Sequence, residues 1–205
     1  MWALVDANSF FASVEKVFHP GLKGKPVVVL SSNDGIIVAL TPEAKKIGLH
    51  RGDPIFNVKD IVNRHNVAVF STNMMLYAAM SKRVAGIIKQ SVERVDQCSI
   101  DECLADLSGY ESHYDLEEYM RGVADRIRLW TDIPVSVGIA PTKTLDKIGS
   151  KFAKQYKGYG IRSPGLSSVI SARAVCRMSS LTRLKSGRNV LFFQTRWTGS
   201  IRNTD

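Results

Sequence analysis

Asp101 and Glu102 stand side by side in Cys98-Ser99-Ile100-Asp101-Glu102-Cys103-Leu104-Ala105-Asp106-Leu107, flanked by apolar residues. Neighbours on a regular strand point to opposite faces. Both carboxylates therefore aim at one point only at a turn or a hairpin edge. Two carboxylates held close repel each other unless a cation lies between them. Alone, an Asp-Glu pair reads first as a solvated hairpin turn. A third acid changes the reading: Asp6 ends the apolar run Met1-Trp2-Ala3-Leu4-Val5, far upstream. Brought together at one sheet edge, the three would form an anionic site with oxygen donors only, which suits Mg²⁺. Two such ions stabilise the entering and leaving oxygens of phosphoryl transfer.

The surrounding elements must position these acids. Met1–Val5 reads as a buried strand. Asn8 or Ser9 can cap a helix, because Phe10, Phe11, Val14, Val17 and Phe18 recur at helical spacing until Pro20-Gly21. Pro26–Leu30 and Ile36–Leu40 read as strands joined through the turn Ser32-Asn33-Asp34-Gly35. Thr41-Pro42-Glu43 opens a short helix ending near Gly48, with Pro at its first position. A further short helix is predicted over 55–64 and a strand over 67–70. The longest helical stretch is 71–90, with Leu76, Met80, Val84 and Ile87 or Ile88 on one stripe. Strands over 92–99 and 102–107 meet at the acidic pair. A helix is predicted over 115–130 and a strand over 134–140. A basic helix then starts at Pro141-Thr142, carrying Lys143, Lys147, Lys151 and Lys154. The order predicts an α+β fold, a split β-α-β sheet with an insertion between the first helix and the long one.

The chain has 205 residues, ample for one large domain or two small ones, and no run reaches the length that spans a bilayer. The N-terminus does not read as a signal peptide. Cys98, Cys103 and Cys176 form no Cys-x-x-Cys pair, and His19, His50, His65 and His113 have no zinc-like spacing. Free thiols point to a reducing compartment, hence a cytoplasmic protein. The net charge of +9 is uneven: residues 161–205 carry eight Lys and Arg against the single acid Asp205. A basic tail of this kind can bind nucleic acid.

Three stretches resemble the motifs of Y-family (translesion) DNA polymerases, in family order. They are Asp6-Ala7-Asn8-Ser9-Phe10-Phe11-Ala12-Ser13-Val14-Glu15, then Ser99-Ile100-Asp101-Glu102 with Asp106-Leu107, then Ser136-Val137-Gly138-Ile139-Ala140-Pro141-Thr142-Lys143-Thr144-Leu145. The resemblance covers about residues 1–160 and is strongest to the UmuC subunit of bacterial DNA polymerase V and its plasmid relatives. It implies a ferredoxin/RRM-like palm over 1–9 and 72–160 and a small α+β fingers subdomain over 10–71. It implies DNA-directed DNA synthesis in damage tolerance (SOS mutagenesis), with two Mg²⁺ ions, a damaged primer–template and a dNTP. Asp6 and Asp101 would bridge both ions, Glu102 would complete the site that activates the primer 3′-hydroxyl, and the Ala7 carbonyl would touch the other ion. Phe11 aligns with the steric gate against ribonucleotides. Lys45 and Lys154 align with triphosphate contacts, and Lys143 and Lys147 would contact the DNA backbone or be merely solvated. Read from the residues alone, Phe11 is a core aromatic and the lysines are solvated.

The sequence departs from the family at two places. Pro42 stands where many members carry Tyr or Ser, and offers neither hydroxyl nor N–H to a phosphate. Residues 161–205, with eight serines and no periodicity beyond a lone apolar run at Val190–Phe193, resemble neither a thumb nor a little finger. They read as an unstructured or poorly packed tail, out of frame or truncated after about Gly160. A UmuD-type partner and a sliding clamp, expected of the family, would contact regions this chain mostly lacks. Weak or absent synthesis is the corresponding expectation. Two other readings stand beside the polymerase: a non-catalytic nucleic-acid-binding fragment and a nucleotide cyclase.

Overall fold

The computed structural model describes residues 1–141 and the backbone of residues 168–171. Strand β1 (Trp2–Ala7) is central to a five-stranded sheet. It pairs antiparallel with β6 (Glu102–Asp106) on one side and with β7 (Val135–Ala140) on the other. β5 (Arg94–Gln97) lies outside β6, and β8 (Ser168–Ser171) outside β7, giving the order β5-β6-β1-β7-β8. The four antiparallel strands and two helices reproduce the expected split β-α-β arrangement.

Those helices form where their apolar stripes fall. α4 (Met74–Lys89) starts at Asn73, whose side chain accepts from the Leu76 N–H at 3.1 Å. It buries Tyr77, Met80, Val84, Ile87 and Ile88. α5 (Leu116–Thr131) starts at Asp115, whose Oδ1 accepts from the N–H groups of Glu117 (2.9 Å) and Glu118 (3.1 Å). It buries Met120, Val123, Ala124 and Ile127. These stripes share one core with Ala3, Val5 and Ala7 of β1, with Cys103 and Ala105 of β6, and with Val135, Val137 and Ile139 of β7. Strand alternation therefore turns Leu4, Asp6, Glu102 and Leu104 to the opposite face.

The insertion forms its own three-stranded sheet in the order β3-β2-β4, from β2 (Val27–Leu30), β3 (Ile37–Leu40) and β4 (Ala68–Ser71). The Asp34-Gly35 turn joins β2 to β3: Gly35 adopts φ 65°, and Asp34 Oδ1 accepts from the Ile36 N–H. β2 serves two cores through its alternation. Val27 and Val29 join the large core, while Val28 joins Ile37, Leu40, Ala44, Leu49, Val62 and Val67. α2 (Pro42–Lys46) and α3 (Lys59–Arg64) cover this second core. α1 (Phe10–Phe18) packs on β2, β3 and α4 and so links the two sheets.

Three local differences from the sequence reading stand out. The helix expected over 55–64 is a 3₁₀ turn at Ile55–Val58 followed by α3. Ser9 precedes α1 in a left-handed conformation (φ 48°) without a side-chain cap. Within the tail read as unstructured or poorly packed over 161–205, Ser168–Ser171 pair parallel to β7 from Ser136↔Ser168 to Ile139↔Ser171. The basic helix expected from Pro141, the run Val190–Phe193 and the rest of the tail lie outside the described residues.

Ile127 is fully buried on α5, whereas Leu129 on the same helix is 82 % exposed. Ile127→Ala is expected to destabilise the fold by roughly 2–5 kcal/mol through the cavity it opens. Leu129→Ala should stay within about 0.5 kcal/mol of the parent. Urea unfolding followed by circular dichroism separates the two.

Candidate active site

β1 delivers Asp6 and Ala7 to the sheet edge under tight constraint. Asp6 stands directly opposite Glu102 on β6 and opposite Ser136 on β7. Ala7 donates its N–H to the Asp101 carbonyl at 2.9 Å, and Asn8 donates to the Pro134 carbonyl at 2.8 Å. Directly opposed residues of an antiparallel pair have Cα atoms about 4.5–5.5 Å apart and side chains on one face. Asp6 and Glu102 thus form a carboxylate pair on the face away from α4 and α5. Asp6 is 8 % exposed, and Asp101 and Glu102 are half-buried.

Asp101 occupies the bend between β5 and β6, which frees it from strand alternation. One hydroxyl organises this bend. Ser99 Oγ donates to Asp101 Oδ1 at 2.7 Å and accepts from the N–H groups of Asp101 (3.4 Å) and Glu102 (3.1 Å). The N–H groups of Cys98 and Ser99 both donate to the Glu102 carbonyl. The backbone therefore brings the three acids side by side, but the Asp101 carboxylate is turned onto Ser99. Among the described residues, no three His, Cys, Asp or Glu side chains are gathered into a group that could hold a metal ion. The strand register sets Asp6 opposite Glu102, and the Ala7–Asp101 hydrogen bond sets the Asp101 backbone beside them. The donor set is carboxylate and carbonyl oxygen, the chemistry a hard divalent cation takes. A rotation of the Asp101 side chain away from Ser99 is what a three-carboxylate site would require.

The neighbours of the acids have other tasks. Cys103 joins the core, and burial pushes its thiol up to about 11. Asp106, at the far end of β6 opposite Trp2, accepts from the Ser108 N–H, and its hydrogen bonds to Ser108 hold it below the usual carboxylate range. Asp106 thus fastens a turn away from the acidic pair. Ser136 Oγ donates to Asn8 Oδ1 at 2.9 Å on the face that carries Asp6.

Phe11 sits in the first turn of α1, shortly after Ala7, and is partly buried. Its ring stacks on Tyr77 of α4, with centroids 4.4 Å apart and planes 14° apart. Lys45 is exposed in the last turn of α2, on the insertion. The hydroxyl of Thr41, before Pro42, accepts from the N–H groups of Val27 (3.1 Å) and Ala44 (3.4 Å). Lys143, Lys147 and Lys154 lie outside the described residues. Sequence reasoning gave no role to Ser99, Tyr77 or Ser136. Only Ser99 carried a signal, as a hydroxyl placed two residues before an Asp in a turn.

A family model described as impB/mucB/samB matches residues 5–151, which hold all of these acids. The chain belongs to that family. It is 44 % identical to Protein MucB of Escherichia coli over 160 residues, covering 78 % of this chain and 38 % of that protein. It is 45 % identical to Protein UmuC of Salmonella typhimurium over 157 residues, covering 77 % and 37 %. It is 33 % identical over 154 residues to DNA polymerase IV of Dehalococcoides mccartyi, covering 73 % and 39 %. An insertion ternary complex of Dbh DNA polymerase superposes with a TM-score of 0.72 at 28 % identity, over 86 % of this chain and 50 % of that one. DinB from Sulfolobus solfataricus gives 0.70 at 27 %, over 86 % and 50 %. The chain thus spans about 38 % of the length of the curated relatives it matches. Y-family polymerases are its structural kin. Among the described residues, no helix is long and apolar enough to cross a membrane.

Ser99→Ala removes the hydroxyl that links Asp101 to the backbone of Glu102. It is expected to change Mn²⁺ affinity by about tenfold or more, the usual effect of a residue that orients a ligand. Isothermal titration of the parent and variant chains checks this. Equal affinities would show that Ser99 does not position the acids.

Proposed function

We propose that this chain carries the palm and fingers of an error-prone translesion DNA polymerase and serves template-directed nucleotidyl transfer from dNTP to a primer 3′-hydroxyl. One observation carries the reading. Asp6 and Glu102 are opposed across β1 and β6, with Asp101 bonded to Ala7 beside them, inside the residues matched by the family model. On this reading the palm is 1–9 and 72–160 and the fingers 10–71; the separate sheet β3-β2-β4, whose strands all fall within 10–71, supports the division.

Asp6, Asp101, Glu102 and the Ala7 carbonyl would hold two divalent cations. Mg²⁺, when bound there, lowers the charge repulsion between the triphosphate and the attacking oxygen. The protein's own part is positioning. Asp6 and Glu102 would be fixed by strand register and the Asp101 backbone by the bend, so that only the Asp101 carboxylate would have to turn from Ser99 toward the reacting oxygens. Phe11 would stand against the sugar and exclude a 2′-hydroxyl, its ring held by Tyr77. Lys45 and Lys154 would bind the triphosphate. Pro42 removes a hydroxyl that many relatives place there. The Thr41 hydroxyl is engaged by two backbone N–H groups, which favours Lys45 as the contact from α2. Lys143 and Lys147 would touch the DNA backbone.

The chain's substrates on this reading are a damaged primer–template and dNTP. The expected outcome is Mg²⁺-dependent dNTP binding, with at most slow single-nucleotide addition when protein exceeds primer. Asp101→Ala and Asp6→Ala should each weaken that binding at least about tenfold. Binding indifferent to Mg²⁺ and to both substitutions would overturn the proposal and favour a non-catalytic nucleic-acid-binding role.

A further inference from the structure

We infer that Glu15 is a positioning residue for Phe11, acting through a hydrogen bond to Tyr77 that fixes the ring on which Phe11 stacks. The inference rests on the reading of Phe11 as the group that faces the sugar. Glu15 lies one turn after Phe11 on α1 and is only 5 % exposed, among the buried Phe10, Ala12 and Val14. A carboxylate buried in apolar surroundings is costly unless it is paired. Its Oε1 accepts from the Tyr77 hydroxyl at 2.7 Å. Its Oε2 lies 3.9 Å from His19 Nδ1. The same nitrogen is 2.9 Å from the Glu15 main-chain oxygen, and the His19 ring lies against Phe70 of β4.

Tyr77 is fully buried in the first turn of α4. Burial and the neighbouring Glu15 push its hydroxyl above its ordinary range. Its ring meets Phe11 nearly parallel, at 4.4 Å between centroids, whereas Phe10 meets Phe11 at 6.0 Å and 53°. Phe11 is thus backed by a ring whose far end is tied down. A ring tied at its para position loses freedom to tilt and slide, and a partner stacked on it inherits that restraint. Core filling alone does not call for this arrangement: a phenylalanine against an apolar side chain would pack without burying a charge. The connection runs Phe11–Tyr77–Glu15–His19–Phe70, from the helix after Asp6 into the sheet of the insertion. It joins residues 62 apart in sequence across α1 and α4.

The test is sugar selectivity. Dissociation constants for dCTP and CTP are measured with the full chain, primer–template DNA and Mg²⁺, for the parent, Phe11→Ala, Tyr77→Phe, Glu15→Val and Glu15→Gln. Thermal melting of each protein is recorded alongside. Phe11→Ala should abolish the preference for dCTP. Tyr77→Phe and Glu15→Val should reduce it roughly three- to tenfold, the loss of one hydrogen bond to a charged group. Glu15→Gln keeps a carbonyl acceptor and should restore it to within about twofold of the parent. A lowered melting temperature without a change in selectivity in Tyr77→Phe would reduce the pair to a core contact and overturn the inference. Should Glu15→Val fail to fold, Tyr77→Phe alone decides. If Phe11→Ala itself leaves the preference intact, the reading of Phe11 fails first, and this inference with it.

Discussion

The pairing register of β1 is the constraint on which the rest of the molecule depends. β1 is bonded on both sides, so it cannot slip without breaking two ladders. A slip of one residue would send Asp6 into the core and Val5 to the open face. The core enforces the setting: Ala3, Val5 and Ala7 are needed beneath α4 and α5. Hydrophobic burial therefore fixes the position of a charged residue that makes no contribution to that burial. The same register puts Glu102 opposite Asp6 and leaves Asp101 free to adopt a bend. The acidic edge is a by-product of strand alternation, directed by the apolar residues between the acids.

The second constraint is α1, which starts just beyond the acids and ends at the insertion. Its buried face is mixed, with Phe10, Ala12 and Val14 beside the carboxylate of Glu15. Because α1 packs on β2, β3 and α4, movement of the insertion relative to the large sheet would act on the Phe11–Tyr77 stack. The geometry of the acids and the Phe11–Tyr77 stack are thus set by different elements. The acids depend on a sheet register, the stack on a helix–helix contact closed by one buried hydrogen bond.

Most of this architecture was legible from the sequence, because the strongest signals are periodic. The stripe of Met80, Val84 and Ile88 announces α4, and Leu116, Tyr119, Val123 and Ile127 opposite Glu117, Glu118, Arg121 and Arg128 announce α5. Asp6 and the Asp101-Glu102 pair were found because charges at strand ends stand out against apolar runs. What stayed hidden depends on partners distant in sequence. No periodicity shows that Tyr77 meets Glu15, or that Ser136 meets Asn8 128 residues away. The turn of the Asp101 side chain onto Ser99 is a choice among local acceptors that spacing does not decide. β8 escaped for a related reason: Ser-Val-Ile-Ser is short and weakly patterned, and only the open edge of β7 gives it a partner.

The most direct measurement of the central claim is paramagnetic broadening of backbone amide signals by substoichiometric Mn²⁺ in the isotope-labelled chain. Mn²⁺ replaces Mg²⁺ at oxygen-donor sites and broadens only nearby nuclei. Selective loss of the signals of Ala7, Asp101, Glu102 and Ser136 is the expected result. Broadening centred instead on Asp34 or Asp115, or spread evenly over the exposed acids, would contradict the claim that strand register builds a cation site from Asp6, Asp101 and Glu102.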